Sequence, residues 1–428
     1  MFNLNKEAKL AYTMLIPTIS IVFLIILFPI FGNFWLSFKE VKLGDLRAPQ
    51  PIIKEKLKTK DIEPGDDILI EYRFKNSSQK KPIFNIEITD KISEFITPVE
   101  IAEGCSVNNN LLSCYFEEWK PKYNEKIIFK FKANDNFEID NFNPKESKPR
   151  GAADADNILT NLKFSLKNFQ KILQKNETIE NIKVTFLYSF FATIGALLLG
   201  ISAALLLEKN FLGKGFFWGL FLFPFVSPVI AVAFTWVYIL DPFKGFLNNY
   251  LLNNEFISEP IFFLGLKKVD FLGFDFPFTL FIVILFESWR YFPLAFLFIL
   301  ARLQAIPKDL YEASDIDGAT RIQQFFYITL PQLLGVISLL FILRFIWNFN
   351  KFEDIFLLTG GNAGTRTLTV QVYDEAFALS NMGTASSVAV LIFILLAIFV
   401  FIHQKIAPKD IEEWQIIFIS FFSFIYIQ

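Results

Sequence analysis

The amino-acid sequence predicts an all-α polytopic membrane protein, with six transmembrane helices, that is interrupted near its N-terminus by an extracytoplasmic β-sandwich domain. Long apolar runs recur along the chain, which is 53% hydrophobic and 17% aromatic. One polar stretch, about residues 40–160, breaks this pattern and alternates polar with apolar residues instead. The formal net charge is only -2 and there is a single histidine, which argues against nucleic-acid binding and against a histidine-based metal site.

The first apolar run, residues 11–38, is too long for the core of a signal peptide and ends on aromatic residues suited to a membrane interface. About 20 apolar residues suffice to cross the hydrocarbon core of a bilayer. We therefore expect residues 1–39 to form a short tail and an uncleaved first span. Runs of similar length follow at 184–207, 216–240, 279–301, 332–349 and 386–403.

Six spans place both ends of the membrane body on the same side. The short segments that this topology puts inside carry more Lys and Arg than those outside, which favours a cytosolic N-terminus. The polar segment 308–331, between the fourth and fifth spans, is then cytosolic. The last segment, 407–428, begins polar and becomes apolar again, and its assignment stays open between an interfacial segment and an aberrant end.

The insertion at 40–133 has the pattern of a small β domain. Residues 68–74, 84–89 and 126–132 alternate in polarity, and turn-forming residues separate them at 64–66 and 76–78. Several short strands over this length predict an antiparallel sandwich. The following residues, 134–183, are expected to form a linker and a short helix.

The only two cysteines, Cys105 and Cys114, both lie in this insertion. The turn-forming Asn108–Asn110 segment between them would let the pair face each other across a hairpin. Outside the membrane a disulfide is expected, and closing so short a loop would contribute about 2–3 kcal/mol. A free buried pair is the alternative, and two ligands without a histidine make a metal site a weak hypothesis.

The segment 308–331 carries a long, specific motif. Glu312-Ala313-Ser314 is followed after three residues by Gly318, and nine residues later by Ile328-Thr329-Leu330-Pro331. This order resembles the EAA loop of binding-protein-dependent ABC importer permeases, with Ser314 in place of the second alanine. The resemblance implies a cytoplasmic coupling helix that contacts an ATPase, whereas an ordinary amphipathic loop would leave the spacing unexplained. The implied coupling residues are Glu312, Ala313, Ser314, Asp317, Gly318, Ile328, Leu330 and Pro331.

The membrane half, 184–406, resembles the carbohydrate-uptake branch of these permeases. The stretches 287–293 and 351–361 match that branch, except that Asn362-Ala363 replaces the common Gly-Pro. The whole chain is similar in plan to the larger membrane subunit of the maltose importer. The insertion itself resembles Ig-like surface repeats over residues 62–133. These resemblances imply the ABC importer permease fold and transport of a sugar, oligosaccharide or related polyol.

Two charged residues lie inside the fourth predicted span. Glu287 and Arg290 are three residues apart and so share one helical face. Each ionised group costs about 2.5–3.5 kcal/mol there, so the two should face a bundle interior or pair with one another. A sugar needs hydrogen-bonding groups and aromatic faces. The pathway candidates are therefore Glu287, Trp289, Arg290, Tyr291, Trp347, Asn348 and Phe349, against the alternative of a structural ion pair and interfacial aromatics.

The sequence contains no phosphate-binding loop of the Walker type, so the chain is not expected to hydrolyse ATP or to act as an enzyme. The resemblance implies a second permease subunit, two ATPase subunits that bind ATP and Mg²⁺, and an extracytoplasmic solute-binding protein. It also implies a multi-pass protein in the lipid of a prokaryotic inner membrane. The competing hypothesis is a membrane-anchored surface or adhesion protein whose β domain is the functional part, which leaves the 312–331 motif without a function.

Overall fold

The computed structural model describes residues 6–79, 81–137, 147–271 and 273–406, so the segment 407–428 lies outside the described residues. The chain divides into two compact units. One combines the chain up to Glu40 with the chain from Ser165 onward, and the other is Val41–Phe164. The second unit is therefore an insertion into the first.

The first unit is helical. Its helices are α1 (Lys6–Ile21), α2 (Phe28–Ser37), α3 (Lys167–Gln174), α4 (Asn176–Glu208), α5 (Lys214–Val226), α6 (Val229–Ile239), α7 (Phe246–Asn253), α8 (Phe278–Gln304), α9 (Lys308–Ile316), α10 (Arg321–Gln324), α11 (Leu330–Phe349), α12 (Glu353–Thr359), α13 (Leu368–Tyr373) and α14 (Met382–Ile406). Among the described residues, five helical segments are long and apolar enough to cross a membrane: Tyr12–Ser37, Asn176–Glu208, Phe278–Gln304, Arg321–Phe349 and Met382–Lys405.

The run at 216–240, expected as one span, is instead a pair of helices. The directions of helices α5 and α6 differ by 96°. The pair counts as a sixth span only if the two helices together cross the membrane as one broken span. The break falls at Ser227-Pro228, where Ser227 is extended with ψ 142°. Proline disfavours helical backbone in the residue before it and provides no N–H of its own, which explains the break.

Helices α4 and α8 pack closely through small residues. A Cβ on Gly195 would lie 2.2 Å from Ser288 Oγ, and one on Gly200 would lie 2.6 Å from Ala295 Cβ. Ser288 Oγ also donates a hydrogen bond to the Ala192 carbonyl at 3.3 Å. Close approach through small residues favours helix association in membranes. It fixes α8 against α4 along the stretch that carries the predicted pathway residues.

The chain leaves and re-enters the first unit at adjacent points. Asn168 on α3 donates hydrogen bonds to the carbonyls of Ser37 at 3.0 Å and Lys39 at 2.7 Å. The Ser165 N–H donates to the Phe38 carbonyl at 2.8 Å. On α14, a Cβ on Gly383 would lie 2.0 Å from the Lys39 carbonyl oxygen, so only glycine fits. The end of α2 is thus held by both α3 and α14.

The inserted unit consists of two four-stranded sheets. Its strands are β1 (Pro51–Leu57), β2 (Asp67–Asn76), β3 (Ile83–Lys91), β4 (Ile96–Glu100), β5 (Cys105–Asn108), β6 (Leu111–Trp119), β7 (Asn124–Ala133) and β8 (Arg150–Asp154). The sheet orders are β1-β2-β7-β4 and β5-β6-β3-β8, and the paired strands are antiparallel. A further hairpin, β9 (Val269–Phe271) and β10 (Phe274–Phe276), belongs to the helical unit.

Alternating side chains of the two sheets fill one shared core. Ile70 and Phe129 from one sheet lie in the same buried cluster as Ile86 and Leu112 from the other. This arrangement agrees with the expectation of a two-layered β domain, whereas the Ig-like assignment stays a prediction. Strand β8 lies where the sequence suggested a linker. Its residues, Arg-Gly-Ala-Ala-Asp, lack the β-branched and aromatic side chains that mark a strand.

One buried hydrogen bond joins the two sheets. Tyr72 Oη on β2 donates to Asp90 Oδ2 on β3 at 2.6 Å. Burial raises the pKa of Tyr72 and the Asp90 carboxylate raises it further, so the phenol remains a donor. At the edge of the second sheet, Cys105 and Cys114 lie directly opposite each other on β5 and β6 and are joined by a disulfide.

Candidate coupling and translocation sites

The segment between α8 and α11 forms the helix–turn–helix that the motif suggested. Helix α9 ends at Ile316, with Asp317 as its C-cap, and Gly318 has φ +78°, a left-handed conformation that favours glycine. Thr320 caps the short α10, because its Oγ1 accepts from the Gln323 N–H while the Gln323 side chain accepts from the Thr320 N–H. A π-helical turn, Phe325–Thr329, leads into α11. We call the segment 308–331 the coupling segment.

Side-chain contacts hold the two short helices of the coupling segment together. Gln324 Nε2 on α10 donates to Ser314 Oγ at 2.9 Å and to Asp315 Oδ1 at 2.6 Å on α9. Tyr311 Oη lies 2.8 Å from Thr329 Oγ1. Ser314, the departure from the usual alanine, therefore supplies a hydrogen-bond acceptor that alanine would lack.

The outward face of the coupling segment exposes apolar side chains. Ile316 is 88% exposed and Tyr327 is 80% exposed, and Leu310, Ile322 and Phe326 are also exposed. Exposed apolar groups clustered on a polar segment are typical of a contact surface. Of the motif residues, Glu312, Ala313, Asp317, Gly318 and Pro331 are exposed, whereas Ser314, Ile328 and Leu330 are half-buried.

The buried charges of the helical bundle pair differently from the expectation. Glu287 does not pair with Arg290. Its Oε1 accepts a hydrogen bond from Arg344 Nη2 on α11 at 2.6 Å, with both side chains at most 1% exposed. Arg290 instead donates from Nη2 to the Ser227 carbonyl at 3.2 Å, at the break between α5 and α6. Helical spacing brought the two residues onto one face, but partners on other helices are nearer.

Tyr291 lies at the centre of this group. Its hydroxyl and the Lys351 Nζ atom are 2.5 Å apart. The Arg344 guanidinium and the Lys351 ammonium are each 4.3 Å from the centre of its ring, and the Arg290 guanidinium is 5.4 Å away. Cation–π attraction and the hydroxyl therefore add to the carboxylate contacts, such as that of Glu287 with Arg344, in holding these cations in a buried site.

Asp354, on α12, completes the buried charge cluster and was not among the predicted site residues. Its Oδ2 lies 3.3 Å from Lys351 Nζ. Burial raises the pKa of the Asp354 carboxyl, and the Glu287 carboxylate beside it raises it further. A protonated Asp354 can donate a hydrogen bond to Glu287 Oε2, the buried oxygen of that carboxylate that has no other hydrogen-bond partner among the described residues. The signal was present in the sequence, since Asp354 belongs to the 351–361 stretch.

The remaining pathway candidates separate into two groups. Asn348 joins the charge cluster, because its Oδ1 accepts from Arg344 at 2.9 Å and its Nδ2 donates to Thr193 Oγ1 on α4 at 3.1 Å. Trp347 also borders the cluster, with its ring 5.6 Å from the Arg344 guanidinium. Trp289 packs against Trp236 and Phe286, and Phe349 is buried among Phe186 and Phe345, so these two lie in apolar clusters.

The fold and the sites define a multi-pass membrane permease. Residues 196–412 match the family described as binding-protein-dependent transport system inner membrane component. The chain belongs to this family, and membership makes it a membrane transport component and not an enzyme.

Curated relatives agree with this assignment. The inner membrane ABC transporter permease protein YcjO of Escherichia coli is 33% identical over 241 residues, which are 56% of this chain and 78% of the relative. The trehalose/maltose transport system permease protein MalF of Thermococcus litoralis is 33% identical over 242 residues, with the same coverage of 56% and 78%. The trehalose transport system permease protein SugA of Mycobacterium tuberculosis is 28% identical over 57% of this chain and 74% of the relative.

A solved structure shares the fold. A chain of a bacterial ABC transporter involved in the import of the acidic polysaccharide alginate superposes with a TM-score of 0.52. The sequence identity is 21%, and the match covers 59% of this chain and 86% of that chain. At this identity the comparison shows the fold alone.

Proposed function

We propose that the chain is the permease subunit of an ATP-driven importer for a sugar, oligosaccharide or related polyol. The substrate class is supported by relatives named as trehalose/maltose, trehalose and sn-glycerol-3-phosphate permeases. The family name supports delivery by a solute-binding protein. The observation that carries the proposal is the coupling segment, which combines the 312–331 motif with an exposed apolar face.

The coupling segment would contact an ATPase subunit of the transporter, which also contains a second permease subunit and a second ATPase subunit. Helix α9 follows α8 directly and α10 leads into α11, so a push on the segment moves both spans. The bonds of Gln324 to Ser314 and Asp315 make α9 and α10 one body. ATP and Mg²⁺ bind to the partner subunits, and their closure would switch the spans between inward and outward access.

The charge cluster is the structural centre of the translocation pathway. The Arg344–Glu287 pair joins α11 to α8, and a hydrogen bond of Asn348 joins α11 to α4. The contact of Lys351 with Asp354 links α12 to the same charge cluster. Tyr291 and Trp347 would line the path beside the cluster, and Arg290 would hold the α5–α6 break. Trp289 and Phe349, in apolar clusters, would act by packing.

The orientation follows from the excess of Lys and Arg in the short inside segments. The coupling segment would then be cytosolic and the inserted unit extracytoplasmic, in a prokaryotic inner membrane. A disulfide between Cys105 and Cys114 suits an oxidising compartment. The insertion, with its Ig-like resemblance, would stand beside the docked solute-binding protein.

The test changes the coupling segment and measures uptake of labelled trehalose and maltose by cells that express the whole transporter. Glu312→Lys should reduce uptake at least about tenfold, which corresponds to about 1.4 kcal/mol of lost interaction. Gly318→Val should act similarly, because a β-branched residue at φ +78° costs about 1–2 kcal/mol. The amount of each variant in the membrane should stay unchanged.

Two matched controls separate coupling from general damage. Gly318→Asn should retain more uptake than Gly318→Val, since asparagine tolerates the left-handed conformation. Glu208→Lys, a similar charge change at the exposed end of α4, should leave uptake near the wild-type level. Normal uptake with both Glu312→Lys and Gly318→Val would disprove the coupling proposal.

A further inference from the structure

One outer face of the inserted unit is strongly basic. It belongs to the sheet β1-β2-β7-β4 and consists of side chains that alternate with the buried core residues. Its cations are Lys54, Lys56, Lys58, Arg73, Lys75, Lys126, Lys130 and Lys132, and its carboxylates are Asp67, Glu71 and Glu100. We call this surface the basic face.

The centre of the basic face is a row of cations across three strands. Lys54 lies directly opposite Arg73, and Arg73 lies directly opposite Lys126. Neighbouring strands are about 4.8 Å apart, and like charges in directly opposite positions destabilise a sheet. Three adjacent cations therefore oppose the stability of the fold, so another reason must account for them.

The carboxylates of the basic face do not neutralise this row. Asp67 pairs with Lys130 at 2.8 Å, and Glu71 pairs with Lys58 at 2.9 Å. In the part of the chain that the structure describes, Lys54, Arg73 and Lys126 form no ion pair within 4 Å. Arg73 Nε donates to Asn124 Oδ1 at 2.7 Å, which holds the guanidinium in place at the surface.

The opposite outer face shows that the excess of positive charge is local. On the sheet β5-β6-β3-β8, the exposed cations Lys91 and Arg150 are accompanied by the exposed carboxylates Glu87, Glu118 and Asp154. That surface is mixed in sign, as expected of charges that serve solubility alone. The two faces of one domain therefore differ in electrostatic character.

The cation row borders a shallow pocket of about 400 Å³ across β1, β2 and β7. The pocket is lined by Lys54, Glu55, Lys56, Glu71, Arg73 and Lys126. Its volume is in the range of small-molecule sites, about 300–1,000 Å³. The cations can bind acidic groups and the Glu71 carboxylate, on the same outer face, can accept hydrogen bonds from hydroxyls, a combination that suits a sugar ring bearing an acid.

We propose that the basic face binds a carboxylated polysaccharide chain. The cations would pair with successive carboxylates of the polymer, and the pocket would hold one of its rings beside Glu71. This binding goes beyond the proposed transport function, because it requires only the inserted unit and an anionic glycan within reach. It gives the insertion a ligand of its own.

A membrane surface fits the basic face less well. A surface that inserts into a bilayer groups its apolar side chains. On β1, β2 and β7 the exposed apolar residues each lie directly opposite a charged one: Ile52 faces Lys75, Leu69 faces Lys130, and Ile128 faces Glu71. The charge is therefore distributed over the whole face, which suits an extended polyanion.

The test measures binding of the purified full-length protein, in nanodiscs of zwitterionic lipid, to immobilised polygalacturonate at low salt. Dextran is the uncharged control polymer. Phosphatidylglycerol vesicles and poly-glutamate are added as competitors, each at the same total concentration of negative charge. Wild-type protein should bind polygalacturonate and not dextran. The triple variant K54Q/R73Q/K126Q should bind at least about tenfold more weakly, because it removes three charge-assisted contacts.

The control variant K91Q/R150Q, on the opposite face, should bind polygalacturonate within about twofold of wild type. Lys91 and Arg150 together are expected to contribute less than about 0.5 kcal/mol to the binding free energy. The triple variant should melt no lower than wild type, because like charges have been removed. The proposal would be overturned by equal binding of polygalacturonate and dextran, or by an equal loss of binding in the triple and the control variants. It would also be overturned if vesicles or poly-glutamate displaced the protein more effectively than soluble polygalacturonate does. Trehalose and maltose uptake is a separate measurement, so failure here leaves the transport proposal standing.

Discussion

Individual charged residues are the main feature that distinguishes the membrane unit from a purely apolar helix bundle. Glu287 was recognisable from the sequence as a buried charge, because an acidic residue inside an apolar run is costly. Its partner was not, because Arg344 lies on another helix and helical spacing offers only Arg290. The sequence thus identifies a residue that needs a partner, whereas the packing of α8 against α11 selects that partner.

The Glu287–Arg344 pair gives a stability prediction. Arg344→Gln should lower the stability of the purified protein by about 3–5 kcal/mol, because it leaves a buried carboxylate without its partner. The double variant E287Q/R344Q should recover a large part of that loss, since it removes both charges. Thermal unfolding in detergent, followed by tryptophan fluorescence, measures both.

The exposed arginine of the coupling segment provides the control. Arg321→Gln should change stability by less than about 0.5 kcal/mol, as is usual for surface substitutions. If the double variant is less stable than Arg344→Gln alone, then the pair is not the source of the stability.

The sequence predicted helices and strands well where hydropathy alone decides the structure. It predicted them poorly where backbone sterics or tertiary contacts decide it instead. The spans that contain α4, α8, α11 and α14 follow from long apolar runs. The 216–240 run is equally apolar, but Ser227-Pro228 breaks it through backbone sterics that hydropathy does not register. Strand β8 was missed for the opposite reason, because its pairing with β3 comes from tertiary contact and not from its own residues.

Helix α12 is joined to the bundle through Asp354, and this gives a prediction about pH. The raised pKa means that the folded protein binds this proton more tightly than the unfolded chain, whose Asp has a pKa of about 3.9. The stabilising contribution is present below that ordinary value and is lost as pH rises through the raised pKa. The melting temperature of wild type should therefore fall with rising pH more than that of Asp354→Asn.

Two substitutions at this position test whether the proton is required. Asp354→Asn keeps a neutral donor for Glu287, so it should stay close to wild type at neutral pH. Asp354→Leu removes the donor and should cost about 1–3 kcal/mol. The same pH dependence in wild type and Asp354→Asn would show that Asp354 is not the titrating group.

The two units differ in how far the sequence could describe them. The membrane unit follows a family pattern over residues 196–412, so its fold and coupling segment were both foreseeable. The inserted unit was foreseeable as strands only. Its basic face depends on strand register, which places Lys54, Arg73 and Lys126 in one row from segments far apart in the chain.

The proposed placement of the inserted unit outside the cell and of the coupling segment in the cytosol can be tested in intact cells. A membrane-impermeant maleimide should label the partly exposed Cys105 after reduction and before lysis, and label little without reduction because Cys105 and Cys114 form a disulfide. In a chain that lacks both cysteines, Ile316→Cys on the exposed side of α9 should react only after lysis. Labelling of Ile316→Cys before lysis would reverse the orientation.

The hydrogen bonds of Asn168 to the end of α2 have a consequence for how this chain could have arisen. The two points at which the insertion joins the membrane unit are held together by that unit's own contacts, with Ser165 bonded to Phe38 and Gly383 closed against Lys39. A loop whose ends already meet can change length at little entropic cost. We therefore expect that a gain, loss or replacement of the segment 41–164 would leave the fold of the membrane unit intact.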